Sequence, residues 1–475
     1  MKKIRSYTLA LIMITGAMMS LQSCKDYFDL DENPNLVTNP PLNALLSTTT
    51  QKTGLNSQRV AAVTSYFVQY LANPSAGSAT DTYQVSDYTS IWDNLYLAMA
   101  DIYDMKQKAT EEGASEYVGV ADVLMAYHLS LVTDMFGDAP YSEAFNGTTL
   151  TPKFDSQEEL YQESVRLLDE AITELSKPDS KLTLDPDNDL IHGGSVENWI
   201  KTANALKARF LNKISKTSAY SPEDVLAAVD MAYTSNADNA QMGVFEARNP
   251  WASIALSNTQ LVLGGWLSTQ LIDQLNGTTY GIIDPRIAKI TDKTVNGDYK
   301  GTPNGAGNVG PANNTVRDES YISQNSPLTG DLSPLVIISY AELKFIEAEA
   351  AFRAGNLDRA YAAYLEGIRA SMEQLEVAPA ERDAYLSNAA VAVGAQNLTL
   401  DLIFKEKYVA TYLNPEAWND ARRYDYQYAN FTMPAGAALP TFIRRVAYPQ
   451  GESSKNGANV PAVSSLADRL WWDVE

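Results

Sequence analysis

The chain has 475 residues and a net charge of −22, which excludes nucleic acid as an expected partner because phosphate binding needs a basic face. One cysteine, Cys24, and two histidines, His128 and His192, exclude an internal disulfide and a structural Cys/His zinc site. No metal and no other cofactor is expected. Tyrosine outnumbers phenylalanine, 27 to 12, and a ring with a polar tip suits half-wet surfaces and binding sites.

Lys2, Lys3 and Arg5 precede an apolar run from Leu9 to Met19. A positive start, a short apolar stretch and a small residue before Cys24 read as a signal peptide over residues 1–23. The run is too short to span a bilayer, which takes roughly 20 residues. Leu21-Gln22-Ser23-Cys24 is similar to a bacterial lipobox, in which the cysteine becomes the first mature residue and carries acyl chains. Gln22 departs from the usual small residue there, and ordinary secretion with an incidental thiol is the alternative. Each buried acyl CH₂ contributes about 0.8 kcal/mol, so two or three chains anchor firmly. Residues 24–40 contain Asp26, Asp29, Asp31, Glu32 and Asn33-Pro34-Asn35 and read as an acidic, lipidated tether.

Residues 41–475 read as a single, mainly α domain with few short strands. Val60, Val63, Phe67 and Tyr70 keep helical spacing, as do Trp92, Leu95, Met99 and Ile102. The same period holds for Val120, Leu124, Tyr127 and Leu131, for Tyr161, Val165, Leu168, Ile172 and Leu175, and for Trp199, Ala203, Leu206 and Phe210. Each is a stripe facing a core. A loop over 73–90 separates the first two stripes and carries Asp81, Tyr83, Gln84 and Tyr88. Asp185, Asp187 and Asp189 read as a solvated acidic turn before a helix near 197. A calcium loop is the alternative, although the expected Gly and Glu positions hold Leu190 and Val196.

Residues 236–335 break the pattern. They are rich in Gly, Asn, Pro and Thr, with helix signal only near 258–275, and long irregular segments inside a domain are usually functional or disordered. Trp251, Trp266, Tyr280, Tyr299 and Tyr321 are planted through them. The run GAGNVG at 305–310 fits a dinucleotide fingerprint in letters only, since no strand leads in and no helix leads out; it reads as a flexible loop. In residues 340–372, two amphipathic helices flank Ala354-Gly355-Asn356, with Ala348, Ala360, Tyr364 and Gly367 at the small, small, large and small positions of a tetratricopeptide-like hairpin. Residues 118–133 with Ser164, Leu168 and Ala171 give a weaker echo. Residues 414–475 read as irregular, and Arg422-Arg423 as arginines near a helix end pairing with carboxylates such as Glu406, Asp420 or Asp425, an anion site being the alternative.

His128 reads as a satisfied, partly buried histidine and His192 as a surface one. Neither a G-x-S-x-G elbow nor an H-E-x-x-H motif occurs, so no catalytic residue is assigned. A carboxylate-pair glycosidase stays open, because such pairs assemble only in three dimensions.

Nine segments carry a resemblance. They are DLDENPN (29–35) after the lipobox, IWDNLYLAMADI (91–102), LVTDMFGDAPYSEAF (131–145), WIKTANALKARFLNKI (199–214), DPRIAKI (284–290), YKGTPNGAG (299–307), SYAELKFIEAEAAFRAGN (339–356), LIFKEKYVATYLNPEAWNDARR (402–423) and IRRVAYPQGESSKNG (443–457). In this order they resemble the SusD/RagB-type outer-membrane nutrient-binding lipoproteins, in the starch-binding, outer-membrane-associating subgroup. The resemblance implies a helical frame of tetratricopeptide-like hairpins supporting irregular loops, and no catalysis. It implies a lipid-anchored protein on the cell exterior that closes as a lid over a SusC-like TonB-dependent transporter and delivers an oligosaccharide, or in some relatives a peptide. Lys25-Asp26 resembles the family's surface-export signal, more loosely than a continuous Lys-Asp-Asp run. Ligand contacts in the family come from the loop before the helix that Trp92 begins and from the irregular centre. Sugar C–H faces stack on aromatic rings and polar side chains bond hydroxyls. The ligand candidates are therefore Asp81, Tyr83, Tyr88, Trp266, Tyr299 and Tyr321. The alternative for each aromatic is packing of its own loop, and Trp92 reads as core.

Overall fold

The structure is a computed structural model that describes residues 39–259, 264–310 and 316–474. The predicted signal peptide, Cys24 and the acidic tether up to residue 38 lie outside the described residues.

The predicted stripes are helices. The first, α1 (Leu42–Phe67), buries Val60 and Phe67, and the chain then enters a two-residue strand, β1 (Leu71–Ala72). Trp92, Leu95, Met99 and Ile102 are the buried face of α2 (Thr89–Glu112). That helix stops at Gly113, whose left-handed φ of 71° lets its N–H turn back to the last carbonyls. Helix α3 (Ser115–Phe136) is mostly apolar and almost wholly buried, as a central core helix must be, with its Asp122 and Asp134 paired to Lys106 and Lys213. Its partner α4 (Gln157–Leu175) starts with a reciprocal Ser156–Glu159 capping box. Gly119 permits the close approach: a Cβ there would sit 2.5 Å from Leu175 Cγ. Next come α5 (Val196–Lys213) and α6 (Pro222–Asp230), capped by Ser195 and Ser221.

The acidic turn before α5 is wired internally. Asp189 accepts the N–H groups of Ile191, His192 and Gly194 and the indole N–H of Trp199. Among the described residues, no group of three or more His, Cys, Asp or Glu could hold a metal ion. His192 departs from its expected surface position. It is half-buried, 2.6 Å from the Thr202 hydroxyl and edge-on to Trp199, because the turn folds back on the helix it leads into. His128 is buried, with Nδ1 2.8 Å from the Leu124 carbonyl and Nε2 3.3 Å from the Asn56 amide.

The central segment is held by short pieces: β2 (Ala240–Met242), α7 (Pro250–Thr259), β3 (Trp266–Leu267), α8 (Thr269–Leu275), α9 (Ile287–Ile290) and β4 (Leu335–Ile338). The expected helix near 258–275 is two helices with β3 between them. Gly265, at φ 61°, breaks the run. β1 pairs antiparallel with β3, Leu71 opposite Leu267, and β2 pairs antiparallel with β4. Helices α10 (Tyr340–Arg353) and α11 (Leu357–Gln374) form the hairpin that small residues indicated. Ala348, Ala360 and Tyr364 are fully buried, and a Cβ on Gly367 would meet the Phe345 ring at 2.9 Å. After α12 (Pro379–Leu386) and α13 (Leu400–Ala410), the expected irregular tail contains α14 (Glu416–Arg423) and α15 (Gln450–Asn456). Residues Leu42–Glu475 make up one compact unit.

Helix α14 was invisible to apolar patterning because it buries polar residues. Arg423 donates two bonds to Glu349 on α10, at 2.8 and 2.9 Å, and one to Asp420 at 2.6 Å. Lys407 on α13 also reaches Asp420. Arg422 donates to the carbonyls of Asp134 and Arg444, both at 2.7 Å, with its guanidinium 3.8 Å from the Trp418 ring. Of the three carboxylates expected for this arginine pair, only Asp420 is used: Glu406 goes to Arg286 and Lys405, and Asp425 to Lys216, Arg444 and Arg469. Nearby, Arg209 of α5 grips Glu342 of α10 with two bonds of 2.7 Å.

Removing one partner of such a pair strands a buried charge, which costs about 3–5 kcal/mol. Arg423→Met is expected to lower unfolding stability by about that amount in urea titrations, whereas a loss within the scatter of surface substitutions would show that Glu349 and Asp420 do not need it. Acid is expected to unfold the protein in two stages. Burial holds the His128 imidazole at about 4, below its ordinary 6.5. For Glu406, burial alone would raise the carboxyl, but Lys405, Arg286 and Tyr385 outweigh it and hold the group at about 2, below 4.5. Both folded values lie below the unfolded ones. Their stabilisation is therefore complete at high pH and is lost on acidification, for His128 between 6.5 and about 4 and for Glu406 between 4.5 and about 2. Calorimetric melting temperatures against pH read both stages, and His128→Gln should shrink the upper one to the share of His192, whose imidazole burial also holds at about 4.

Candidate functional site

Three irregular segments, far apart in the chain, converge beside the β1–β3 pair. Thr302 bonds the Leu267 carbonyl, and Thr269 bonds that of Thr302, so the 299–310 segment runs along β3 and the start of α8. Gly301 makes this possible, since a Cβ would lie 2.4 Å from Thr269 Cα. The loop after β1 then docks on 304–308. Gly77 N–H bonds the Gly305 carbonyl at 3.0 Å, and Asn308 N–H bonds that of Pro74 at 2.8 Å. The third segment, near 430–438, closes over both: Ala435 N–H reaches Asn304 O at 2.9 Å, and Ala438 N–H reaches Thr82 O at 2.8 Å. Gly305 sits at φ 77°, where a Cβ would strike the Ala435 carbonyl at 2.1 Å.

Asp81 is the clasp. It has no exposed surface, and its carboxylate accepts Gly305 N–H at 2.7 Å, Asn73 N–H at 3.2 Å and the Asn304 amide. Burial raises this carboxyl, and the three donors work against that. Asn304 is used on all sides, donating also to Leu71 O at 2.9 Å and accepting from Ser268 at 2.6 Å.

The convergence leaves a polar cleft of about 280 Å³, walled by Gln69, Gln270, Asp273, Thr279, Asn304 and Asn430 among others. That is near the lower end of ligand pockets, roughly 300–1,000 Å³. Amides, hydroxyls and one carboxylate share its walls with Pro303, Ala306, Met433, Pro434 and Ala435, a mixture that matches the hydroxyls and C–H faces of a sugar. Burial raises the Asp273 carboxyl, countered by the Asn276 amide 3.3 Å away. A second, more apolar hollow of about 400 Å³ lies where Ile282, Ile283, Pro285 and Tyr299 face Tyr385 and Asn388.

The six residues expected at a ligand surface are divided by burial. Asp81, Tyr83, Trp266 and Tyr321 are buried, and a ligand cannot stack on a ring it cannot reach. Tyr83 packs edge-on against Phe67. Trp266 in β3 lies 5.9 Å from the Tyr321 ring across a β-bridge, and the Arg317 guanidinium covers Tyr321 at 4.4 Å. These side chains hold the loops together. Tyr88, at the start of α2, and Tyr299, at the second hollow, are half-buried. Every Trp, Tyr and Phe among the described residues is buried or half-buried. GAGNVG, expected to be a flexible loop, is pinned through Gly305 and Asn308. Sequence reasoning missed Asp273, Thr279 and Asn430. Their only signal is a richness in Asn and Thr within irregular stretches, and nothing in the sequence joins 430 to 279, although the Asn430 amide reaches the Thr279 hydroxyl at 3.4 Å.

No curated protein matches the chain. Solved structures do. A chitin-binding SusD homologue from Flavobacterium johnsoniae has a TM-score of 0.76 at 23% identity, over 90% of this chain and 98% of that one. A SusD/RagB family protein from Bacteroides thetaiotaomicron has a TM-score of 0.75 at 21% identity, over 92% and 99%. A further chitin-binding protein has a TM-score of 0.73 at 25% identity, over 91% and 100%. The model of the SusD-like family, described as starch-binding and associating with the outer membrane, matches residues 34–449. The chain therefore belongs to the SusD-like family, whose members are non-catalytic, outer-membrane-associating nutrient-binding proteins.

Proposed function

We propose that this protein is a cell-surface lipoprotein, anchored through Cys24, that binds an oligosaccharide at the convergence of its three irregular segments and delivers it as a lid to a TonB-dependent transporter. The observation that carries the reading is the family match over residues 34–449, which joins glycan binding to the outer membrane. The cleft supports it, because Gln270, Asp273, Thr279 and Asn430 offer the donors and acceptors that sugar hydroxyls use. Two relatives of the same fold that are described as chitin-binding favour a sugar over a peptide. Of the five aromatic candidates, Tyr88 and Tyr299 are the two that stay half-buried, and Tyr299 would meet the ligand from the second hollow. Residues 1–23 are removed as a signal peptide, and 24–40 give the tether its slack.

Calorimetry of the mature protein against a panel of oligosaccharides is expected to show binding in the micromolar to millimolar range, roughly −8 to −4 kcal/mol. Asn430→Ala should weaken it about fivefold, one hydrogen bond's worth. Silence across the whole panel would remove the sugar reading. Cys24→Ala is expected to leave the protein unlipidated and in the soluble fraction. Recovery with outer membranes after a carbonate wash would show that the anchor lies elsewhere.

A further inference from the structure

The cleft has a polarity that the family's description does not give. Its walls include several amide side chains, and at least one N–H of each is already bonded within the protein. Gln69 donates to Thr432 O at 2.6 Å, Gln270 to Ala429 O at 3.1 Å and Asn430 to the Thr279 hydroxyl at 3.4 Å. Asn304 spends both N–H groups, on Asp81 and on Leu71 O. Gln69, Gln270 and Asn430 each keep a second N–H and the amide oxygen, so the wall can both donate and accept, but it brings no positive charge. The one ionisable group on the wall is Asp273, and no lysine or arginine lines the cleft. Asp273 accepts from the neutral Asn276 amide and has no cationic partner among the described residues. Asp81 stands behind Asn304, a second carboxylate held only by N–H donors.

A wall with one carboxylate and no cation favours an uncharged ligand. A neutral sugar chain brings hydroxyl donors and no charge. A uronate or sulfate brings acceptors and a negative charge, and would sit against Asp273 with nothing to offset it. The repulsion acts within the Debye length, about 8 Å at physiological salt, so it survives in the cell. Resting on the glycan-binding reading above, we infer that this cleft selects uncharged oligosaccharides and rejects uronate-containing or sulfated ones, with Asp273 as the residue that sets the discrimination.

The test uses the mature protein and two sets of probes in calorimetry: maltooligosaccharides and N-acetylchitooligosaccharides, and oligogalacturonates and heparin fragments. Wild type is expected to bind a member of the neutral set and none of the anionic set. Asp273→Asn keeps the shape and removes the charge. It should raise the ratio of oligogalacturonate to neutral affinity by about tenfold, whatever the loss of the Asp273 hydrogen bond does to neutral binding, an increase that shrinks with added salt. Asp273→Ser is the second variant, with melting temperature as the check that both are folded. Oligogalacturonate binding by wild type as tight as the neutral binding would overturn the charge filter and leave the glycan reading standing. Anionic affinity unmoved in both folded variants would overturn the role of Asp273. Silence toward both sets would overturn the inference together with the glycan reading itself.

Discussion

The buried ion pairs around α14 are the constraint on which the rest of the structure depends. Arg423 lies between Glu349 and Asp420, Lys213 reaches Asp134, and Arg422 ties carbonyls from two segments together. Taking these charges out of water is expensive, and only near-complete pairing offsets it. Pairing of this kind tolerates no slippage: a shift of one turn in α14 would part Arg423 from Glu349. The network joins α3, α5, α10 and α13, so it fixes one register among helices whose apolar faces alone could pack in several ways.

That register decides where the loops go. Helix α13 lies against α14, and its Tyr408 hydroxyl bonds the carbonyls of Val68 and Gln69 just before β1. β1 then sets β3, β3 aligns the 299–310 segment, and Asp81 fastens the preceding loop onto Asn304 and Gly305. The cleft lies at the end of this chain of dependence. The rim has little regular structure of its own, and its shape comes from backbone bonds between segments and from glycines that permit contact. Substitutions in the helical frame would therefore reach the cleft through β1 rather than through direct contact.

Much of the fold was legible in the residues. Stripes such as Trp92, Leu95, Met99 and Ile102 mark helices because burial of one face repeats every three to four positions. The close hairpin of α10 and α11 was readable from Ala348, Ala360 and Gly367, since small side chains at those spacings serve close packing. Helix α14 was legible only as a helix end at Arg422-Arg423 within a tail that reads as irregular, because its buried face includes Asn419, Asp420, Arg422 and Arg423, and such residues resemble a solvated surface until their partners are known. The candidate site was legible in outline only. The loop before Trp92 and the central segment do meet, yet Tyr83, Trp266 and Tyr321 turn inward, because a loop without secondary structure needs an apolar anchor of its own. The 430–438 segment had no signal, since its partners at the cleft, Thr82, Thr279 and Asn304, lie far away in the chain.

The sequence by itself determined the class of protein: a mainly helical frame with long polar insertions and a single cysteine in a lipobox-like context. Those features rest on local spacing and composition, which need no knowledge of distant partners. Only the tertiary structure decided which polar residues face inward and which line a cleft. The same Asp and Asn side chains can serve as clasp, wall or solvated surface. Asp81 became a clasp because Asn304 and Gly305 arrive beside it, and Asp273 a wall because Asn430 arrives across from it. Those arrivals depend on charge pairs and backbone bonds between residues hundreds of positions apart, and a linear pattern does not encode them.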